Sequence, residues 1–390
     1  MKRNGFFAVI MFLLAIFAFA QSESDFQVEL TADYTGAVIT RYTGQGISAL
    51  RIPNTIQSFP VKEIKQYVFQ NNKTITSVVL PSSIEKIGEG AFYDCGNLSV
   101  VTIPANVTKI EFVTKVVKNS AYARGQYEIE GFSGCNLNFP SQAALKLRGY
   151  PGNFGEKRFG YYTVSLTNDY TGLVITRFEN VRAVKFMTTN TSEYTISNLD
   201  IQGNFEGMVV KELGAKSFGL NIDDQPSREF QIEGRVVIPE GVEVIRERAF
   251  SSSVGWKKHT INSVVLPSTL KIIEERAFAG SVLTQVNIPQ NTKVIGNNAF
   301  AYCTKLNSVI LPEGITEIGE GAFIYCSSLT SITLPSTIKT IGKEAFSGTG
   351  LTTISIPEAV VTIGENAFAG TKFPLPIQAE LRRRGYIGRF

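Results

Sequence analysis

The sequence predicts an α/β chain leaning to mostly β: a solenoid of parallel strands in two tandem modules, each with a β-hairpin N-cap and a short helical C-cap. Three observations predict it. Ten phenylalanines recur on a fixed frame, Phe69, Phe92, Phe132, Phe218, Phe250, Phe278, Phe300, Phe323, Phe346 and Phe368, with unbroken spacings of 22 and 23 residues. Around most of them runs one sentence, Pro-x-x-apolar-x-x-Ile-Gly-x-x-Ala-Phe, as in Pro312 to Phe323. Two further stretches outside the rungs are themselves duplicated. A unit of this period cannot bury its apolar face alone, so it must stack on copies of itself.

Within a rung, the residue before proline is Ile or Leu (Leu80, Ile103, Ile238, Leu266, Leu311), and two before that stands another aliphatic (Val78, Val101, Val236, Val264, Val309). Alternating β-branched and aliphatic residues mark a short strand with one buried face. Proline ends the strand because it has no N–H for the ladder. Six residues after proline comes isoleucine, as at Ile87, Ile245, Ile295 and Ile341. Glycine follows at Gly88, Gly296, Gly319, Gly342 and Gly364, where a positive φ is expected to turn the chain. Alanine beside phenylalanine then sets small against large, and equivalent strands are expected to stack at roughly 4.8 Å.

The duplicated stretches supply the caps. Leu30 to Tyr42 returns as Leu166 to Phe178, two strands around a Tyr-Thr-Gly turn. Gln142 to Tyr150 returns as Gln378 to Tyr386, a short helix followed by glycine. Such caps cover the apolar ends and edge strands that a stack would otherwise expose. The expected organisation is residues 1–20 as a secretory signal, 21–155 as a first module of three rungs, and 161–390 as a second of seven. Gly155 to Gly160 links them. Residues 111–130, 219–235 and 251–262 break the frame and read as inserted loops.

With the motifs Leu98 to Ile110 (LxxVxIPxxVxxI) and Gly319 to Leu329 (GxxAFxxCxxL) on the page, the chain resembles the BspA-like subclass of leucine-rich repeats. The resemblance covers nearly all of the chain beyond residue 20. It implies an exported or surface protein of bacterial type that binds other proteins, host extracellular matrix or neighbouring cells among them, without naming a ligand.

The N-terminus reads as an export signal: Lys2 and Arg3, an apolar run from Phe6 to Phe17, then Ala18-Phe19-Ala20 before Gln21. No later stretch is long and apolar enough to span a bilayer, so a periplasmic, cell-surface or secreted location is expected. The formal charge is +4, or +2 once Lys2 and Arg3 leave with the signal. That balance gives no support for nucleic acid or an anionic membrane as partner. The basic run Arg382, Arg383 and Arg384 reads as a solvated helix face.

Chemistry is sparse. Cys95, Cys135, Cys303 and Cys326 each stand three residues after a repeat phenylalanine, and each pair falls on neighbouring rungs. Stacked side chains at equivalent positions point in parallel, which leaves Cβ atoms farther apart than a disulfide prefers. The same column elsewhere holds Asn72, Ser281, Thr349 and Thr371. Unpaired thiols as small fillers are therefore favoured over bridges, with both readings open. A metal site has poor prospects, with no CxxC and one histidine, His259. No nucleophile–base pair or phosphate loop is present. Glu313, Glu317 and Glu320 read as solvated turn residues, while Asp33 and Asp169 read as hydrogen-bonding their own hairpin turns. No cofactor and no enzymatic activity are expected.

What remains is surface. The strand residue between the two buried aliphatics should face outward, and that column reads Val79, Thr102, Val237, Val265, Asn287, Ile310, Thr333 and Ser355. Such a weakly polar face suits a protein contact, although Val, Ile, Thr and Ser also simply suit a strand. Trp256, Lys257 and Lys258, beside His259 in the third insertion, form a second candidate patch. The expectation is a non-catalytic binding protein, with adhesion as its role. Two other readings stand beside it: a self-associating periplasmic or surface-layer component, and an enzyme acting on surface glycans.

Overall fold

The structure, a computed structural model, describes residues 21–118, 126–178, 194–218, 230–252 and 259–390. The expected export signal and the loop residues Trp256, Lys257 and Lys258 lie outside the described residues. The chain forms two units, one ending at Phe154 and the other running from Gly155 to Phe390.

Each unit begins on its hairpin. Phe26–Leu30 pairs antiparallel with Ala37–Tyr42, and Tyr162–Leu166 with Leu173–Phe178, each with a register shift at the equivalent place. In the first unit a parallel sheet continues from the hairpin through Phe59–Ile64, Lys86–Ile87 and Glu111–Phe112. In the second it runs from Leu173–Phe178 through Met208–Leu213 and then through two-residue strands, Val244–Ile245, Ile272–Ile273, Val294–Ile295, Glu317–Ile318, Thr340–Ile341 and Thr362–Ile363. In each two-residue strand of the second unit the repeat isoleucine is the more buried residue. Two residues are too short a run for an alternating pattern to show, so this sheet is invisible to periodicity.

The other flank carries the strands that precede proline. Ala49–Arg51, Ser77–Val79 and Val100–Thr102 form one sheet; Tyr194–Asp200, Phe230–Val237 and Thr260–Val265 form another; Gln285–Asn287 pairs with Ser308–Ile310. The expected strands at 331–333 and 353–355 are absent: those segments carry no ladder, and Thr352 N–H on the Thr330 carbonyl is the contact that remains. Ring spacing does not separate the two cases: Phe centroids stand 5.6 Å apart both at Phe300–Phe323, whose rungs pair on this flank, and at Phe323–Phe346, whose rungs do not. The isoleucine flank stays paired while this flank opens.

All ten repeat phenylalanines are buried. Their rings stack nearly parallel, at 4.7 and 4.9 Å in the first unit. Burying one such ring contributes about 2–3 kcal/mol, and each ring also covers its neighbour's face. The hairpins start the columns: Tyr42 lies 5.2 Å from Phe69 and Phe178 lies 5.2 Å from Phe218. Tyrosines end them edge-on, Tyr150 on Phe132 and Tyr386 on Phe368. Along the column each Phe N–H donates to a carbonyl of the next rung, as from Phe300 to Ala322. Phe368 has no next rung, and its N–H donates instead to the Tyr386 hydroxyl, 3.2 Å away. That explains why the terminal ring is tyrosine.

The glycines after isoleucine correct the sequence reading. None of Gly88, Gly296, Gly319, Gly342 or Gly364 has a positive φ. A Cβ on Gly319 would stand 2.8 Å from the Gly296 carbonyl carbon, and one on Gly364 2.3 Å from the Lys343 nitrogen. Glycine is there because successive backbones pass too closely for a side chain. Positive φ falls instead two residues before nine of the ten phenylalanines (as at Gly90, Arg248, Asn298 and Gly321) and two after many of them (Asp94, Gly280, Tyr302, Tyr325).

Helix α1, Phe139–Lys146, and helix α2, Leu375–Arg383, follow the last rung of each unit, and Gly149 and Gly385 leave them with positive φ. On and beyond α2 the basic run is engaged locally. Arg383 and Arg384 pair with Glu380, and Arg382 donates to the Tyr386 carbonyl beneath the Phe390 ring.

Candidate functional site

The outward strand column lies where its alternation places it. Val78 and Val101 point into the core, and the residues between them and the buried Leu80 or half-buried Ile103 lie on the outward side. In the first unit Val79 is half-buried and opposite Thr102, which is exposed. In the second, Val237 is half-buried and directly opposite Val265, 41% exposed, while Asn287 is opposite Ile310, 59% exposed. Thr333 and Ser355 are exposed on the rungs whose segment before proline carries no strand. The flanking column, Arg235, Ser263, Gln285 and Ser308, brings one charge and three neutral polar groups. The second unit thus presents aliphatic side chains held in register, rimmed by groups that hydrogen-bond without a strong field.

His259 is not part of an exposed patch. It is fully buried: its Nδ1 accepts from the Ile232 N–H at 3.0 Å, and Nε2 lies 2.9 Å from the Phe218 carbonyl. Holding both partners requires the neutral ring protonated on Nε2, and burial lowers its pKa to about 4. The imidazole replaces backbone pairing where two insertions interrupt the stack. Its role is structural.

The four thiols are free. Each donates to the carbonyl of the phenylalanine in the preceding rung, Cys95 to Phe69, Cys135 to Phe92, Cys303 to Phe278 and Cys326 to Phe300, at 3.0–3.4 Å. Thr349 and Thr371 use their hydroxyls on a phenylalanine carbonyl in the same column. The position calls for a small donor, and cysteine supplies one. The neighbouring thiol, then burial, pushes Cys135 and Cys326 up.

Asp33 and Asp169 act as expected within their turns. Each accepts from two threonine hydroxyls and one backbone N–H, Thr31 and Thr35 in one case, Thr167 and Thr171 in the other. These bonds hold both carboxylates well below the usual range. Among the described residues no three His, Cys, Asp or Glu side chains converge as a metal site would require. A shallow depression between Glu243, Lys271, Lys293 and Val294 is open to solvent, and Lys271 pairs with Glu243 across it at 2.7 Å. No helix among the described residues is long and apolar enough to cross a membrane.

One surface feature escaped the sequence reading. Tyr302 and Tyr325 are exposed, stack at 5.1 Å, and the Tyr325 ring occupies the space a Cβ on Gly348 would need. Both stand two residues after a phenylalanine, in a column held elsewhere mostly by Gly, Asn or Asp and by no other aromatic residue, and that departure was the available signal.

The match to a protein-family profile agrees with the repeat. The profile of the BspA type Leucine rich repeat region matches residues 40–114 and 255–373, in six copies. A T. pallidum Leucine Rich Repeat protein is 28% identical, with 60% of this chain and 98% of that one covered and a TM-score of 0.48. A leucine rich cell surface protein from Faecalibacterium prausnitzii is 22% identical over 90% of this chain and 86% of that one, with a TM-score of 0.21. The Pneumococcal vaccine antigen PcpA is 15% identical over 93% and 95%, with a TM-score of 0.30. No curated protein matches the chain.

Proposed function

Because the chain belongs to the BspA-type leucine-rich repeat family, we propose that it is an exported, non-catalytic protein that binds other proteins, in adhesion to host matrix or other cells. The contact surface is the strand face of the second unit. The observation that carries this reading is the exposure of Val265 and Ile310 on strands whose register places Val237 beside the first and Asn287 beside the second. Exposed aliphatics ringed by neutral polar groups match the composition of protein contacts, whose centres are depleted of charge. Rigid presentation adds to this, because a partner meeting side chains already locked in register gives up little ordering entropy. Absence of enzymatic activity is part of the proposal and is supported by the engagement of the acidic turns, the thiols and His259 in structural hydrogen bonds.

The test is a binding screen against matrix proteins and intact cells, comparing the protein with a Val237→Lys, Val265→Lys, Ile310→Lys variant. All three side chains reach solvent, so the variant should fold. Loss of a central contact is expected to weaken binding at least 10-fold, about 1.4 kcal/mol. Equal binding of every partner by a folded variant removes the strand face from consideration.

A further inference from the structure

The two units are closed unequally, and the difference points outward. In the first unit α1 seals its stack: Phe139 is 0% exposed, the Asn138 N–H donates to the Ser99 carbonyl, and the Ser141 hydroxyl accepts from the Val101 N–H. The conserved geometry of Gln142 and Gln378, each donating to the carbonyl five residues earlier, aligns the two caps. In that alignment Asn138 becomes Pro374, which has no N–H; Ser141 becomes Ile377, which has no hydroxyl; Phe139 becomes Leu375, 78% exposed. At the same end of the second unit's chain Val361 and Ile387 are each 81% exposed, and Ile363 is half-buried where the other isoleucines of its column are buried. Among the described residues no strand lies beyond Thr362–Ile363.

The N-terminal ends differ in the same sense. In the second unit Lys157–Phe159 pairs antiparallel with Tyr162–Leu166 and covers the hairpin edge, with Phe159 opposite Tyr162 and Lys157 opposite Val164. In the first unit no described strand covers the equivalent edge, Phe26–Leu30. Lys157–Phe159 runs antiparallel to Tyr162–Leu166, which is the direction of the rung strands. A rung strand from elsewhere would therefore lie on Phe26–Leu30 in the direction the chain already uses on its second hairpin. The charges match as well. At the open hairpin Glu23, Asp25 and Glu29 outnumber Arg41 and Lys65, the lysine pairing with Glu29. At the open end of the second unit Arg383 and Arg384 pair with Glu380, and Lys372, Arg382 and Arg389 outnumber Glu358 and Glu365.

We propose that the chain associates head to tail with a second copy of itself, the Thr362–Ile363 edge and α2 end of one copy docking on the Phe26–Leu30 edge of the next. Such an interface is heterologous: each copy keeps one free end, and growth continues unless rotation closes a ring. It uses neither Val265 nor Ile310, so it stands independently of the strand-face reading.

Sedimentation velocity over a concentration series tests it with two variants whose substitutions are all at exposed positions. Gln27→Lys with Glu29→Lys makes the hairpin edge basic; Val361→Glu with Leu375→Glu makes the opposite end acidic. The unaltered protein is expected to grow in mass with concentration, and each variant alone to stay monomeric. A 1:1 mixture of the variants retains one intact hairpin edge and one intact α2 end, so it should regain association to at least a dimer. The Val237→Lys, Val265→Lys, Ile310→Lys variant should assemble like the unaltered protein. An unaltered protein that is monomeric throughout overturns the proposal. So does either end variant that assembles normally, or a mixture that gives no dimer.

Discussion

Lowering the pH from 7 to 4.5 should destabilise the second unit through one residue, His259. Its Nδ1 accepts a backbone N–H and it is fully buried, so a second proton has no acceptor to face and no water to solvate it. Burial sets its pKa at about 4, against 6.5 for an unperturbed imidazole. Between those values the unfolded chain binds a proton that the folded chain refuses. The stabilising contribution is therefore complete above about pH 6.5 and is lost progressively as pH falls toward 4. The full displacement corresponds to about 3 kcal/mol. For a unit of this size that is a fall in Tm of about 6–12 °C. Scanning calorimetry at several pH values, on the protein and on a His259→Gln variant, reads it out. Glutamine offers an acceptor and a donor but does not titrate, so the variant should be less stable at pH 7 and flat from about 6.5 to 5. The lowered carboxylates, Glu240, Glu313 and Glu380 among them, lose their contribution only as pH falls through the unfolded-chain value of 4.5, so the window above about pH 5 reads His259. Parallel pH profiles for the two proteins would refute the reasoning.

Two substitutions test the stack itself. Gly319→Ala places a Cβ 2.8 Å from the backbone of the preceding rung and should cost about 1–3 kcal/mol in urea unfolding. Gly46→Ala, at φ 73° with nothing within 4 Å, should cost only about 1 kcal/mol of left-handed strain; a larger loss at Gly46 would argue against close approach as the reason for the glycine column. Tyr386→Phe removes the hydroxyl that accepts the Phe368 N–H and donates to the Arg389 carbonyl. Leaving that buried N–H unpaired should cost about 1–3 kcal/mol and speed hydrogen exchange at the Phe368 amide, whereas unchanged exchange would mean that another acceptor takes its place.

The Phe and Ile columns, the strands before proline, both hairpins and both cap helices are legible in the residues, because each depends on chain neighbours or on a repeat of itself. The outward column was legible for the same reason: alternation within three residues settles which side chain faces solvent. His259 shows the other case. A lone histidine in an insertion reads as polar surface, yet its partners are Ile232, 27 residues before it, and Phe218, 41 residues before it.

Sequence alone therefore determined that the chain stacks and which residues line the stack, since periodicity is a local property written once per rung. Tertiary structure alone decided how closely the rungs pass, where the strand flank opens, and which ends are sealed. Those outcomes turn on backbone separations between residues 22 or more apart. The same glycine, proline or leucine can be required, harmless or left exposed according to what the next turn of the coil brings against it.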